Sequence, residues 1–272
     1  MFDQPFSGGF LMAELPENVK VLDEKIDSLI AEEQWEAAVR ACTEVLALVE
    51  KNASISPKFK AKMHTGRGIA YGAMDDFDSA VQELQKALRF TQRNASVYNW
   101  LGRIYIAAGE YDKAIASLNQ ALALRPDKSE IYDSRGIAHH AKGEHELAIA
   151  DYDHALKLNP RHPDTYVNRG RVRRAMKKLD LALADFTKAV ELQQDRADFY
   201  HDRAVTYHLK EDFDKALADY DEALRLDPYF AEAYRDRGIT RQFKNQFKPA
   251  IADYDKALAL YEKREVALER TA

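Results

Sequence analysis

Between Tyr166 and Lys178 the sequence reads YVNRGRVRRAMKK, which crowds Arg169, Arg171, Arg173, Arg174, Lys177 and Lys178 into thirteen residues. So dense a group of guanidinium and ammonium groups has the chemistry of phosphate recognition, whether on a modified ligand or a nucleic-acid backbone. Other reactive side chains are sparse. His139 and His140 are adjacent rather than at the helical spacing that turns two imidazoles toward one metal, and His145 falls where core aromatics recur. Cys42 is the only cysteine, so no internal disulfide or thiolate zinc cluster can form. It occupies a core position, which predicts an inert thiol. No GxGxxG, P-loop or GxSxG sequence is present. The expectation is a chain with no catalytic residue, no cofactor and no metal, and therefore not an enzyme.

Charge limits the phosphate reading. The 272 residues carry a net charge of −5, which disfavours a protein that coats nucleic acid but leaves room for a local basic stripe. A hydrophobic share of 46% is enough for a packed core. The opening MFDQPFSGGFLMAELPEN lacks a basic leader region, and no later run approaches the apolar length of a membrane span. Residues 1–18 are expected to form a flexible arm, with Met12 an alternative start, and the chain is expected to be soluble and cytoplasmic.

The elements that hold these residues are set by a repeat. ADYDHALKLNP, ADFTKAVELQQ, ADYDEALRLDP and ADYDKALALYE begin at Ala150, Ala184, Ala218 and Ala252, 34 residues apart each time. Extending that register divides the chain into repeats 1 to 7 at 19–52, 61–94, 95–128, 129–162, 163–196, 197–230 and 231–264, with 265–272 extending the last helix. Position 20 of the repeat is alanine throughout, from Ala38 to Ala250. Position 27 is alanine in all but the first, and position 8 is Gly68, Gly102, Gly136, Gly170 and Gly238 with two exceptions. Small residues at fixed places let two helix axes approach closely. Larger apolar residues recur at helical spacing in two blocks per repeat, broken where Gly109 and Gly143 sit. Each repeat is therefore helix, turn, helix. Asp78, Asp112, Glu146, Asp180 and Asp214 suit the start of the second helix, and Pro126, Pro160 and Pro228 follow its end.

These positions resemble the tetratricopeptide repeat (TPR), whose signature is small residues at 8, 20 and 27, aromatics at 4, 11, 17 and 24, and a late proline. The aromatics here include Tyr98, Tyr105, Tyr111, Tyr132, Tyr152, Tyr200, Tyr207, Phe213 and Tyr220. The resemblance implies an all-α fold, an α-α superhelix of stacked helix-turn-helix repeats. It also implies that the first helices line a concave groove for a protein or peptide.

One position departs from the family pattern. Position 7 is Leu101 in repeat 3 but Arg67, Arg135, Arg169, Arg203 and Arg237 in repeats 2 and 4 to 7, while position 23 is Ser117 in repeat 3 and Glu83, Asp151, Asp185, Asp219 and Asp253 in those same repeats. Arginine and acid appear and vanish together, which predicts an ion pair between the two helices of one repeat. By the family's groove positions, the partner-binding candidates are Asn99, Arg103, His140, Val167, Arg171, Arg174, His201, Val205, His208, Leu209, Arg235, Ile239 and Phe243. The middle of that surface is basic and its carboxyl end more apolar, which suits a peptide with acidic and hydrophobic anchors. No repeat has the lysine at position 5 with asparagine at position 9 by which the heat-shock co-chaperones of this family grip a terminal carboxylate.

The function expected is a non-catalytic scaffold or adaptor that binds a partner segment in the groove. The alternative is a nucleic-acid-binding solenoid using the basic central residues. The register already thins the cluster first quoted: Arg169 is assigned to Asp185, Arg173 replaces a core aromatic, Lys177 and Lys178 fall in the turn, and Arg171 and Arg174 remain for a ligand. At the far end Ile251, Tyr254, Leu258 and Tyr261 lack an obvious cover, from which a homodimer through the last repeat is expected.

Overall fold

The computed structural model describes residues 17–49, 52 and 55–269. The expected arm lies outside that range, save that Glu17 and Asn18 already belong to the first helix. The chain divides into two compact units, Met1–Gly143 and Glu144–Ala272. The first holds α1 (Glu17–Ala31), α2 (Trp35–Val49), α3 (Pro57–Ala73), α4 (Phe77–Phe90), α5 (Ala95–Ala107), α6 (Tyr111–Leu124) and α7 (Ser129–Ala141). The second holds α8 (His145–Leu158), α9 (Pro163–Ala175), α10 (Leu179–Leu192), α11 (Ala197–Leu209), α12 (Phe213–Leu226), α13 (Ala231–Phe243) and α14 (Phe247–Glu269). No strand occurs among the described residues. Within each unit every helix packs on its neighbours in the chain, and first helices of successive repeats also meet, α3 with α5 in one unit, and α9 with α11 and α11 with α13 in the other.

The turn between the two helices of a repeat is made the same way each time. Position 15 takes a left-handed backbone in Glu33, Asp75, Gly109, Gly143, Lys177, Glu211 and Asn245, with φ between 58° and 77°. Only two of the seven are glycine, so the remaining five bear the steric cost of that conformation. Asp78, Asp112, Glu146, Asp180 and Asp214 lie in the first turn of α4, α6, α8, α10 and α12, at the positive end of each dipole. In α14 no acid lies there.

Close approach explains the small residues. A Cβ added at Gly102 would stand 2.5 Å from Leu118, at Gly170 2.8 Å from the Phe186 ring, and at Gly238 2.7 Å from Tyr254. In each case position 8 of the first helix rests on position 24 of the second, while alanines such as Ala80, Ala114, Ala182 and Ala216 are fully buried beside the crossing.

Four of the five expected ion pairs lie within one unit, and these are formed. Arg67 reaches Glu83 at 2.7 Å, Arg169 reaches Asp185 at 2.6 Å, Arg203 reaches Asp219 at 2.7 Å and Arg237 reaches Asp253 at 2.6 Å. Arg173 and Arg241, one helical turn on, join Asp185 and Asp253 at 2.7 and 2.8 Å. The same position 7 arginines also tie successive repeats, which the pairing within repeats did not anticipate. Arg67 donates to Thr43, Arg135 to Asn119, Arg169 to Asp153 and Arg237 to Asp221, each acceptor being position 25 of the preceding repeat. A second tether runs from the lysine at position 14 to the acid at position 18 of the preceding repeat, in Lys142–Asp112, Lys210–Asp180 and Lys244–Asp214.

Candidate functional site

In the second unit α9, α11 and α13 lie side by side, and the side chains that cross between them define the face on which the groove candidates sit. Asp202, at the centre of α11 and 5% exposed, takes Arg171 at 2.7 Å and Arg174 at 2.9 Å, both from α9. Arg174 also donates to the Asp202 carbonyl oxygen. One helix further on, Asp236 of α13 takes His201 of α11 at 2.9 Å and its own neighbour Arg235 at 2.8 Å. Burial works to raise the Asp236 pKa, but the bonds from His201 and Arg235 outweigh it and hold the carboxyl below its usual range. The basic residues of this face are thus already committed to carboxylates, Arg171, Arg174 and His201 to the adjoining helix and Arg235 to its own. Two arginines on Asp202 leave a net charge near +1, and Arg171 keeps 44% of its side chain exposed.

Beyond the charges the face becomes apolar. His208 of α11 sits 5.4 Å from the Phe213 ring and 5.2 Å from Phe243, and those two phenylalanines stack at 5.7 Å. His208 Nδ1 is 2.9 Å from the Thr240 hydroxyl. Burial lowers the His208 pKa and outweighs the nearby Asp236, so the ring is neutral at neutral pH and extends the apolar cluster. Phe243 stands 62% exposed at its rim, and Leu209, next to His208 in the chain, is 52% exposed. Val205 and Ile239 are half-buried on the same two helices.

The first unit offers a smaller version. Lys62 of α3 reaches Asp23 at 2.6 Å and Asp27 at 3.1 Å on α1. Arg103 of α5 lies over the Trp100 ring at 4.3 Å and feels the charge of Asp133 in α7. Asn99 Oδ1 is buried without a hydrogen-bond partner among the described residues. His140 is half-buried on α7.

Two expectations are corrected. Val167 is 3% exposed and packs with Phe186 and Phe199, so it belongs to the core and not to a partner surface. Arg171 and Arg174 are not unclaimed charges, because Asp202 on the helix facing them pairs with both, although Arg171 stays partly exposed. That pairing joins positions 9 and 12 of one repeat to position 6 of the next, a relation hidden when pairs are sought within one repeat. The signal was present as Asp202 and Asp236 at the same repeat position. Elsewhere the reading by register holds: Arg173 joins Asp185, and Lys177 has the left-handed φ of the turn. Cys42 is fully buried, and burial pushes its thiol up to about 12, which removes the reactive thiolate at neutral pH. Among the described residues no group of three or more histidine, cysteine or acidic side chains could hold a metal ion, and no helix is long and apolar enough to cross a membrane.

With the helix pairs and the 34-residue register in place, comparison with known proteins is decisive for the family. Four models of the tetratricopeptide repeat match, over residues 83–116, 102–143 and 138–173, 163–196 and 197–230. The chain belongs to the tetratricopeptide repeat family. Solved TPR structures share the fold. A TPR protein from Parabacteroides merdae superposes with a TM-score of 0.70 at 18% identity, covering 93% of this chain and 97% of its own. MamA from Desulfovibrio magneticus gives 0.57 at 23% identity over 62% and 96%. YrrB, described as a TPR protein with an unusual peptide-binding site, gives 0.52 at 22% identity over 72% and 97%. At these identities the likeness establishes the fold alone. No curated protein matches the chain significantly.

Proposed function

We propose that this TPR protein is a non-catalytic scaffold or adaptor that holds an extended or helical segment of a partner protein against the first helices, and that it works in the cytoplasm. The observation that carries this reading is the apolar rim of the second unit. Phe243 is exposed on top of a cluster of His208 and Phe213, with Thr240 bonded to His208, and Leu209, next to His208 in the chain, is exposed at the end of α11. Large apolar side chains held in place by their neighbours lose little entropy on binding and serve as anchoring pockets. Beside them the net positive Asp202 group suits one acidic side chain of the partner, so the segment combines a hydrophobic anchor with a nearby carboxylate. YrrB, with its peptide-binding site, offers a precedent of fold for this use.

The nucleic-acid alternative is weakened by the same geometry. Each central arginine of the face sits on an aspartate, so few positive charges are available to displace counterions from a phosphate backbone. Selection from a displayed random-peptide library tests the proposal. Peptides pairing aromatic or leucine residues with an acid are expected. Leu209→Asp should abolish their binding, and Arg171→Glu should weaken it by about threefold to tenfold. Peptides that bind Leu209→Asp as well as wild type would remove the apolar rim from the function.

A further inference from the structure

Among the described residues two faces stay open, and both consist of positions that the internal junctions cover. Position 3 is Met63, Val97, Ile131, Thr165, Phe199 and Ala233, none more than 2% exposed, whereas Val21 of α1 is 59% exposed. Position 28 is Leu46, Leu122, Leu156, Val190 and Leu224, none above 8%, with Leu88 half-buried, whereas Leu258 of α14 is 58% exposed. Phe247 and Ile251 follow suit at 57% and 58%, while their counterparts Phe213 and Leu217 are half-buried. Each open face is thus half of a repeat junction, α1 supplying the first-helix half and α14 the second-helix half.

The charges say what fits. Among the described residues two polar tethers recur at the internal junctions, a basic residue at position 7 with position 25 of the preceding repeat at four of them, and Lys at position 14 with an acid at position 18 of the preceding repeat at three, both together where repeats 3 and 4 and repeats 6 and 7 meet. At the open faces position 7 is Lys25 and position 25 is Asp255, so the first tether keeps its signs. Position 14 is Glu32 and position 18 is Lys248, so the second has both signs inverted. Among the seven repeats Glu32 is the one acid at position 14 and Lys248 the one base at position 18. A repeat carrying the lysine of Lys142, Lys210 or Lys244 would set like charges together on Lys248; α1 sets opposite ones.

We propose that α14 of one copy docks on α1 of a second copy, head to tail. Val21 covers Ile251 and Leu258, and Lys25–Asp255 and Glu32–Lys248 close the two sides. In the free chain Glu32 accepts from Ser28 at 2.7 Å and from Gln34 at 2.9 Å, exposed bonds that the incoming ammonium replaces. The contact is heterologous, so each dimer keeps one open α1 and one open α14, and assembly proceeds past the dimer unless a ring closes. This surface is independent of the peptide-binding reading.

Sedimentation velocity of the full chain from low to high micromolar concentration tests it. Wild type is expected to associate increasingly. Lys248→Glu alone and Glu32→Lys alone should each weaken association by roughly tenfold. An equimolar mixture of these two variants should regain wild-type association, since every junction in the mixture can again pair opposite charges. Ile251→Asp should prevent association, with circular dichroism reporting an intact fold. A chain monomeric throughout overturns the proposal. So does association unchanged by Glu32→Lys, which would indicate contact between two α14 helices, and so does a mixture no better than the single variants.

Discussion

Repeats 3 and 5 solve one packing problem by opposite means. In repeat 3 position 7 is Leu101, 4% exposed, opposite Ser117, whose hydroxyl turns back to the Lys113 carbonyl oxygen. In repeat 5 the same place holds Arg169, which spans Asp153 at 2.5 Å and Asp185 at 2.6 Å while Arg173 shares Asp185. The apolar version needs only shape. The ionic version desolvates three charges and recovers the cost only while each is paired, so it is more fragile to partial change and more specific about register.

Breaking the ionic version should have the largest effect. Asp185→Ala takes the shared carboxylate from Arg173 and leaves Arg169 with Asp153 alone, and should cost about 3–5 kcal/mol in urea unfolding, provided the transition stays cooperative. A smaller loss is expected from Ala182→Leu, which overpacks a fully buried crossing shared by both versions, at about 1–3 kcal/mol. Transplanting the repeat 3 solution, Arg169→Leu with Arg173→Tyr and Asp185→Ser, should restore stability to within about 1–2 kcal/mol of wild type, far above the single Asp185 variant. If the triple variant is no better than Asp185→Ala, the two solutions are not interchangeable.

Repeat 2 sharpens the comparison through pH. Burial pulls the Glu83 pKa up, but hydrogen bonds from His64, Lys86 and Arg67 outweigh it and bring the carboxyl down to about 2 from its ordinary 4.5. A carboxyl depressed in the folded state adds stability that is complete above its unfolded pKa and is lost as pH falls through the folded one. Acid titration of wild-type stability should therefore steepen between about pH 4.5 and 2, and Glu83→Gln should flatten that interval. The smallest effect is expected at the rim, where Lys244→Ala removes an exposed tether to Asp214 and should change stability by no more than about 1 kcal/mol.

Much of this architecture was legible in the sequence because a repeat presents the same physical problem many times. The alanines at position 20 and the glycines at position 8 mark helix crossings, and the joint loss of arginine and acid in repeat 3 identifies their pairing. The site was less legible. Val167 has the position of a groove residue but the side chain of a core one, and Phe186 and Phe199 close over it. Arg171 and Arg174 look unclaimed until α11 brings Asp202 to them.

By itself, then, the sequence determined the helix pairs, their period, the turn between them and the ion pairs inside a repeat, since all of these depend on residues at short, recurring separations. Only the tertiary structure decided which charges remain for a partner and which apolar residues stay open. Those depend on the neighbouring helix, and the same side chain is buried at Leu224 and exposed at Leu258 according to whether another helix lies over it.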